Sequence, residues 1–226
     1  MKGPHGMSAQ PGPFPPVVTL FETYGAGATQ IGARVAAALG VPFVGQRFAS
    51  EDIEAGKMMV YEDGPIGRFL APFGVYSPNP EGAWSTATGQ AQDYEAVRQN
   101  HLEVLEAAET GVVVLGRNAT AILADRAGAL HVKLIGQLAD RLARAARVDG
   151  IDPSTAARRQ KNEDRARAQL TRQLYHWDAT DPLSFDLVLN TSRLDEQACA
   201  DTIVAAWQAK ATVVAASGSR AEGTET

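Results

Sequence analysis

The chain has 226 residues, a formal net charge of −5 at pH 7, 45% hydrophobic and 21% charged residues. That length and composition suit one globular α/β unit with a real core, and the acidic balance argues against a general coat for nucleic acid. No apolar run approaches the roughly 20 residues of a membrane span, and a single cysteine, Cys199, cannot form an internal disulfide, so a reducing cytoplasm is the expected setting.

Residues 1–16 (MKGPHGMSAQPGPFPP) are rich in proline and glycine, lack the apolar centre of a signal peptide, and read as a disordered leader. Val17 to Thr23 reads as a buried first strand. Glu22 to Gly32 (ETYGAGATQIG) then turns into a helix from Thr29 to Leu39, closed by Gly40. Val41 to Val44 is a short extended segment. Residues 45–90 lose the pattern, and scattered glycine, proline and aromatics there indicate an irregular insertion. Its aromatics, Phe73, Tyr76 and Trp84, suit either a stacked base or a local mini-core.

Gln90 to Glu109 is helical, with Tyr94, Val97, His101, Val104, Leu105 and Ala108 at helical spacing. VVVLGR (112–117) is a continuous apolar run of the kind buried on both faces of a parallel sheet. A short helix over Ala119 to Asp125, a strand in ALHVKLIG (129–136) and a helix over Gln137 to Arg147 follow. Ser154 to about Tyr175 is a long polar helix. FDLVLNTS (185–192) holds the last strand, Asp195 to Lys210 the last helix, and 213–226 a disordered tail. Alternating strands and helices predict one domain over 17–212, with a mainly parallel sheet between helical layers.

The glycine-rich turn lies at the carboxyl end of the first strand, where open parallel sheets bind ligands. Gly25 and Gly27 allow a tight bend whose amides can face an anion, and the helix that follows adds the partial positive charge of its start. Thr29 stands where a hydroxyl would ligate Mg2+ beside a phosphate. The pattern GxxxxGK[ST] is not met, because Glu22 holds its first position and Ala28 its lysine position. A ligand-free turn is the alternative.

Half of the 16 arginines fall between Arg141 and Arg172. Asp164 and Arg167 share a helix face and can fix each other, and Glu163 can pair with Arg167. Such a run is either a solvated helix or a set of guanidinium groups that closes over a phosphoryl donor. Arg117 ends a buried strand, so it must reach solvent or a partner. Asn190, Thr191, Ser192 and Arg193 either contact a base or cap the last helix through Ser192 or Asp195. His131 and Lys133 read as packing at a sheet margin, Cys199 as a packed thiol, and His101 and His176 lack metal-ligand spacing.

Four blocks together resemble the divergent branch of the cytidylate kinase-like family of P-loop nucleotide kinases. They are ETYGAGATQIG with LGVPFVGQ, GVVVLGRNATAILADR, EDRARAQL and FDLVLNTSRL. The resemblance implies a three-layer P-loop nucleotide-kinase fold with an acceptor-side insertion at 45–90 and a helical lid at 147–178. It implies ATP and Mg2+ as cofactors and a nucleoside monophosphate, CMP or dCMP, or another small molecule as acceptor. Gly25, Ala26, Gly27, Ala28 and Thr29 would then cradle ATP, with Thr29 reaching Mg2+. Arg117 and Asn118 would bind the acceptor. Asp164, Arg165 and Arg167 would act from the lid. The branch also commonly lacks the loop lysine, but it usually carries arginine and glutamate where this chain has Thr29 and Gln30. Housekeeping relatives have aspartate where this chain has Asn118. A non-catalytic nucleotide-binding module acting through partners is the competing expectation. No membrane or nucleic-acid partner is expected, and the oligomeric state stays open.

Overall fold

The first apolar run forms β1 (Val17–Glu22), the middle strand of five. The structure is a computed structural model and describes residues 14–46 and 86–222. β2 (Phe43–Val44), β3 (Val112–Leu115), β4 (Ala129–Ile135) and β5 (Leu187–Asn190) complete a sheet in the order β2-β3-β1-β4-β5. Every pairing is parallel, with Val17 opposite both Val112 on β3 and Ala129 on β4. The expected α/β class with a parallel sheet is what forms. The continuous apolar runs sit centrally because only a strand covered on both faces can bury every residue.

Side chains of β1 alternate between two cores. Val18 and Leu20 pack with Val113, Leu115, Val132 and Leu134 beneath α1 (Ala28–Leu39) and α6 (Glu196–Glu222). Val17 packs with Val112 and Val114 against α2 (Thr86–Thr110) and the short α3 (Ala119–Ile122). Thr19 faces the second layer too, and its hydroxyl lies 2.8 Å from His131 Nδ1 and 2.9 Å from the Thr120 hydroxyl. His131 is therefore a buried sheet residue, and burial holds its pKa below the usual value. Lys133, on the same strand face, donates to the Ala179 carbonyl at 2.6 Å and lies beside the Phe21 and Phe185 rings.

α4 (Leu138–Asp149) and α5 (Pro153–Tyr175) pack on each other after β4. Asp152 starts α5 by accepting from the Ser154 and Thr155 amides at 2.9 and 3.0 Å, with Pro153 in the first turn. Asp195 caps α6 through the Ala198 amide at 2.8 Å. Ser192 accepts instead from the Gln137 amide at 2.8 Å, tying the end of β5 to the start of α4.

One sequence expectation needs adjusting. α6 continues to Glu222, well past Lys210 and into the expected 213–226 tail. The stretch after Lys210 is alanine-rich, contains no proline, and keeps Ala211 in the core. Most of the expected leader and most of the 45–90 insertion, including Phe73, Tyr76 and Trp84, lie outside the described residues. Among the described residues no helix is long and apolar enough to cross a membrane.

α1 meets the sheet through Gly32, where an added Cβ would overlap the Phe43 ring and approach Leu20 Cδ1 to 2.9 Å. Gly32→Ala should therefore destabilise the fold by about 1–3 kcal/mol in urea unfolding, although alanine is the better helix former. Adding Phe43→Leu should recover part of that loss. An unchanged urea midpoint in the single variant would show that the layers are not closely set there.

Candidate functional site

After Glu22 the backbone bends through residues 23–27 into α1. The Ala26 amide donates to the Thr23 carbonyl at 3.0 Å, and the Ile31 amide to Gly27 at 3.1 Å. Gly25 and Gly27 have φ of +77° and +88°, the left-handed region that glycine enters at little cost. Space imposes the same choice. A Cβ on Gly25 would strike the Arg141 carbonyl, and one on Gly27 would lie 3.3 Å from Arg144 Cδ. Among the described residues the Gly27 and Thr29 amides have no hydrogen-bond acceptor.

Two arginines one helical turn apart on α4 hold this bend by its carbonyls. Arg141 Nη1 donates to the Tyr24 carbonyl at 2.8 Å, and Arg144 Nη1 donates to the Gly25 carbonyl at 2.8 Å. Arg144 also donates to the Thr191 hydroxyl and carbonyl at 3.2 and 2.8 Å. From α5, Asp164 accepts from the Tyr24 amide at 2.6 Å, from Arg141 at 3.1 Å and from Gln160 at 2.9 Å. The backbone of Tyr24 is thus gripped at both its amide and its carbonyl.

Arg167 faces the same bend from α5. It donates to the Glu22 carbonyl at 3.3 Å, to Gln46 Oε1 at 3.1 Å and to Glu163 at 2.7 Å. The expected Glu163–Arg167 pair forms, whereas Asp164 pairs with Arg141 and not with Arg167. Asp164 is turned toward the Tyr24 amide, and Glu163, four residues before Arg167, takes the guanidinium instead. Glu22 accepts from the Ala28 amide at 3.1 Å and from Gln46 Nε2 at 3.2 Å. Burial pushes the Glu22 carboxyl pKa above the usual carboxylate value, against the opposing pull of Arg167.

These groups line a cleft of about 420 Å3 that includes Gly25, Gly27, Ala28, Thr29, Gln46, Arg144, Arg159 and Arg167. Thr29 is exposed at its edge. Arg141, Arg159 and Arg167 each face a carboxylate: Asp164 at 3.1 Å, Asp149 at 3.6 Å and Glu163 at 2.7 Å. Arg144 is bonded to neutral oxygens. It also lines a second cavity of about 370 Å3 with Ala26, Ile31, Arg34, Thr191 and Leu194. Tyr24 closes the inner side. Its hydroxyl donates to Asp149 at 3.4 Å, and its pKa is pushed up to about 12 by burial and then by that carboxylate.

The structure brings Gly25, Ala26, Gly27, Ala28, Thr29, Asp164 and Arg167 together around one bend. The Arg165 side chain lies outside the described residues. Arg117 and Asn118 sit behind Gly45, outside that lining. Arg117 donates to the Gly45 carbonyl at 3.0 Å and to Glu103 at 2.9 Å, and its own carbonyl accepts from Asn100 at 2.9 Å. Arg117 and Asn118 are both left-handed, with φ of 54° and 56°, a conformation costly for arginine. Cys199 is buried in the α1–α6 core, and burial raises its pKa.

Sequence reading placed Arg141 and Arg144 in the arginine run but not in the site, and it treated Glu22 only as a broken motif position. The three-residue spacing of the two arginines was the available signal.

The sequence model of the cytidylate kinase-like family matches residues 17–193. A protein named uronate isomerase in Corynebacterium glutamicum is 32% identical over 126 residues, which is 56% of this chain and 24% of that protein. This chain therefore spans about a quarter of that relative's length. An uncharacterized protein from Eubacterium ventriosum shares the fold, with a TM-score of 0.59 and 16% identity over 86% of this chain and 98% of that one. Shikimate kinase from Acinetobacter baumannii, solved with shikimate, gives a TM-score of 0.44 at 16% identity over 84% and 91% of the two chains.

The side chains of Arg141 and Asp164 are 10% and 22% exposed, so removing either leaves the other charge poorly solvated. Arg141→Ala or Asp164→Ala alone should cost about 3 kcal/mol in chemical denaturation. The double variant should cost less than the sum of the two by about 1–3 kcal/mol. Strict additivity would show that the pair does not hold the bend.

Proposed function

The chain belongs to the cytidylate kinase-like family, and on that premise we propose that it is an ATP- and Mg2+-dependent phosphotransferase acting on a nucleoside monophosphate, CMP or dCMP. One observation carries this reading. A guanidinium bonded only to neutral oxygens, that of Arg144, lies against the glycine bend whose Gly27 and Thr29 amides have no acceptor among the described residues. Backbone amides and one unneutralised cation are what a phosphate chain needs. Arg144 supplies the positive charge that a loop lysine otherwise brings.

In this reading Gly25 to Thr29 hold the phosphates and the Thr29 hydroxyl holds Mg2+. The ion, when bound, offsets phosphate charge. Arg167 exchanges Glu163 and Gln46 for the moving phosphoryl group, and Asp164 keeps α5 at the right distance by holding Tyr24. Arg165 acts from the same lid. Arg117 and Asn118 border the acceptor, beyond Gly45. The terminal P–O bond of ATP breaks as an acceptor phosphate oxygen attacks, giving ADP and a nucleoside diphosphate. Catalysis rests on positioning and charge rather than on a protein nucleophile. A cytoplasmic setting fits the lone buried thiol.

A second reading is a nucleotide-binding module without turnover. It draws support from the Glu22 carboxylate seated on the Ala28 amide and from the carboxylates already paired with Arg141, Arg159 and Arg167. The match to a protein named uronate isomerase makes a sugar acid a further acceptor to include.

Acceptor-dependent ADP release from Mg·ATP, assayed with CMP, dCMP, other nucleoside monophosphates and a uronate, should be highest with CMP or dCMP. Arg167→Ala should lower turnover about a hundredfold or more with a small change in ATP affinity. Arg144→Ala should weaken Mg·ATP binding about tenfold. Binding without ADP release from any acceptor would favour the second reading.

A further inference from the structure

The anion seat in the bend is already taken by an anion of the chain's own. Glu22 is the last residue of β1, and its side chain folds forward over the turn so that one carboxylate oxygen accepts from the amide of Ala28, the first residue of α1. The other oxygen accepts from Gln46 Nε2. A phosphate cradled by residues 25–29 would require that same amide, and its charge would lie within a few ångströms of the carboxylate. The two anions cannot share the seat without like-charge repulsion in a partly desolvated site.

We propose that Glu22 is a competitor built into the loop, a residue that occupies the phosphate seat in the ligand-free protein and sets which anions displace it. This inference rests on reading Gly25 to Thr29 as a phosphate site. A bound phosphate chain must release the Ala28 amide from Glu22, and the carboxylate must then withdraw or take up a proton.

The charged groups facing Glu22 are Arg167, Glu163 and Asp164 of α5. Arg144 and Asp149 of α4 and Arg159 of α5 line the same cleft. Arg167 favours the carboxylate and the two acids oppose it, while burial opposes it most. Burial therefore raises the Glu22 pKa above the usual carboxylate value. As pH falls, the competitor loses its charge and ligand anions bind more tightly.

The test measures binding of Mg·ATP and, separately, of sulfate to the whole chain by calorimetry at pH 8.0 and pH 5.0. Wild type is compared with Glu22→Gln. At pH 8.0 the variant should bind both probes about tenfold more tightly than wild type. At pH 5.0 the gap should be narrower than at pH 8.0, because burial raises the Glu22 pKa and the wild-type residue loses charge as pH falls. Comparing proteins at each pH cancels the ionisation of ATP itself, and sulfate does not titrate in this range. Equal affinities at both pH values would overturn the role of Glu22 and leave the phosphate site standing. Weaker binding by the variant would overturn it too and would make Glu22 a group that supports the ligand. Failure of both proteins to bind either probe at either pH would overturn the phosphate-site reading along with this one. Circular-dichroism melting checks that the variant folds. If it does not fold, the wild-type sulfate arm decides: affinity that rises toward pH 5.0 supports the competitor, and a flat profile overturns it.

Discussion

One carboxylate sets the geometry on which the rest of the site depends. Asp164 takes the Tyr24 amide at 2.6 Å and the Arg141 guanidinium at 3.1 Å, so a residue of α5 and a residue of α4 meet on one residue, Tyr24, of the loop after β1. An amide buried against a helix needs an acceptor, and Asp164 supplies it. Once that contact is made, the helical repeat of α5 fixes where Glu163 and Arg167 fall, bonded to each other at 2.7 Å on the same side of the cleft. The bend, the two arginine-bearing helices and the cleft floor are therefore one mechanical unit rather than separate parts.

The arginines divide by their partners, not by their place in the sequence. Arg141, Arg159 and Arg167 each meet a carboxylate. Arg144 meets carbonyl and hydroxyl oxygens, which bind a guanidinium without cancelling its charge. A loop with no lysine thus still has a guanidinium beside it, from one side chain on a neighbouring helix. Glu22 works in the opposite direction from inside the loop. The proposed phosphate site therefore turns on these two residues, a guanidinium beside the bend and a carboxylate seated on the Ala28 amide.

Much of this arrangement was legible in the sequence, and the reasons for the rest are physical. The central strands announced themselves because burial on both faces forces unbroken runs such as VVVL. The bend did so because Gly25 and Gly27 answer to a backbone conformation that few other residues accept. The polar helix was visible from its composition, but its facing was not. With charges all around α5, periodicity gives no direction, and choosing Glu163 over Asp164 as the partner of Arg167 needs the packed position of Tyr24. Arg117 was likewise visible as a charge at a strand end. Its ties to Glu103 and the Gly45 carbonyl depend on how α2 lies across β3, which no local pattern encodes. The far end of α6 was missed because a polar, serine- and glycine-containing stretch reads as a tail unless the buried Ala211 before it is known.

The side chain of Arg144 stands between two hollows, one on the glycine side and one on the Thr191 side, and forms part of the wall of each. A partition shared in this way cannot be reshaped from one side only. Whatever settles in the first hollow and draws the guanidinium toward it enlarges or reshapes the second, and thermodynamic reciprocity requires the second occupant to act back on the first by the same free energy. A single guanidinium is thereby a wall common to both hollows.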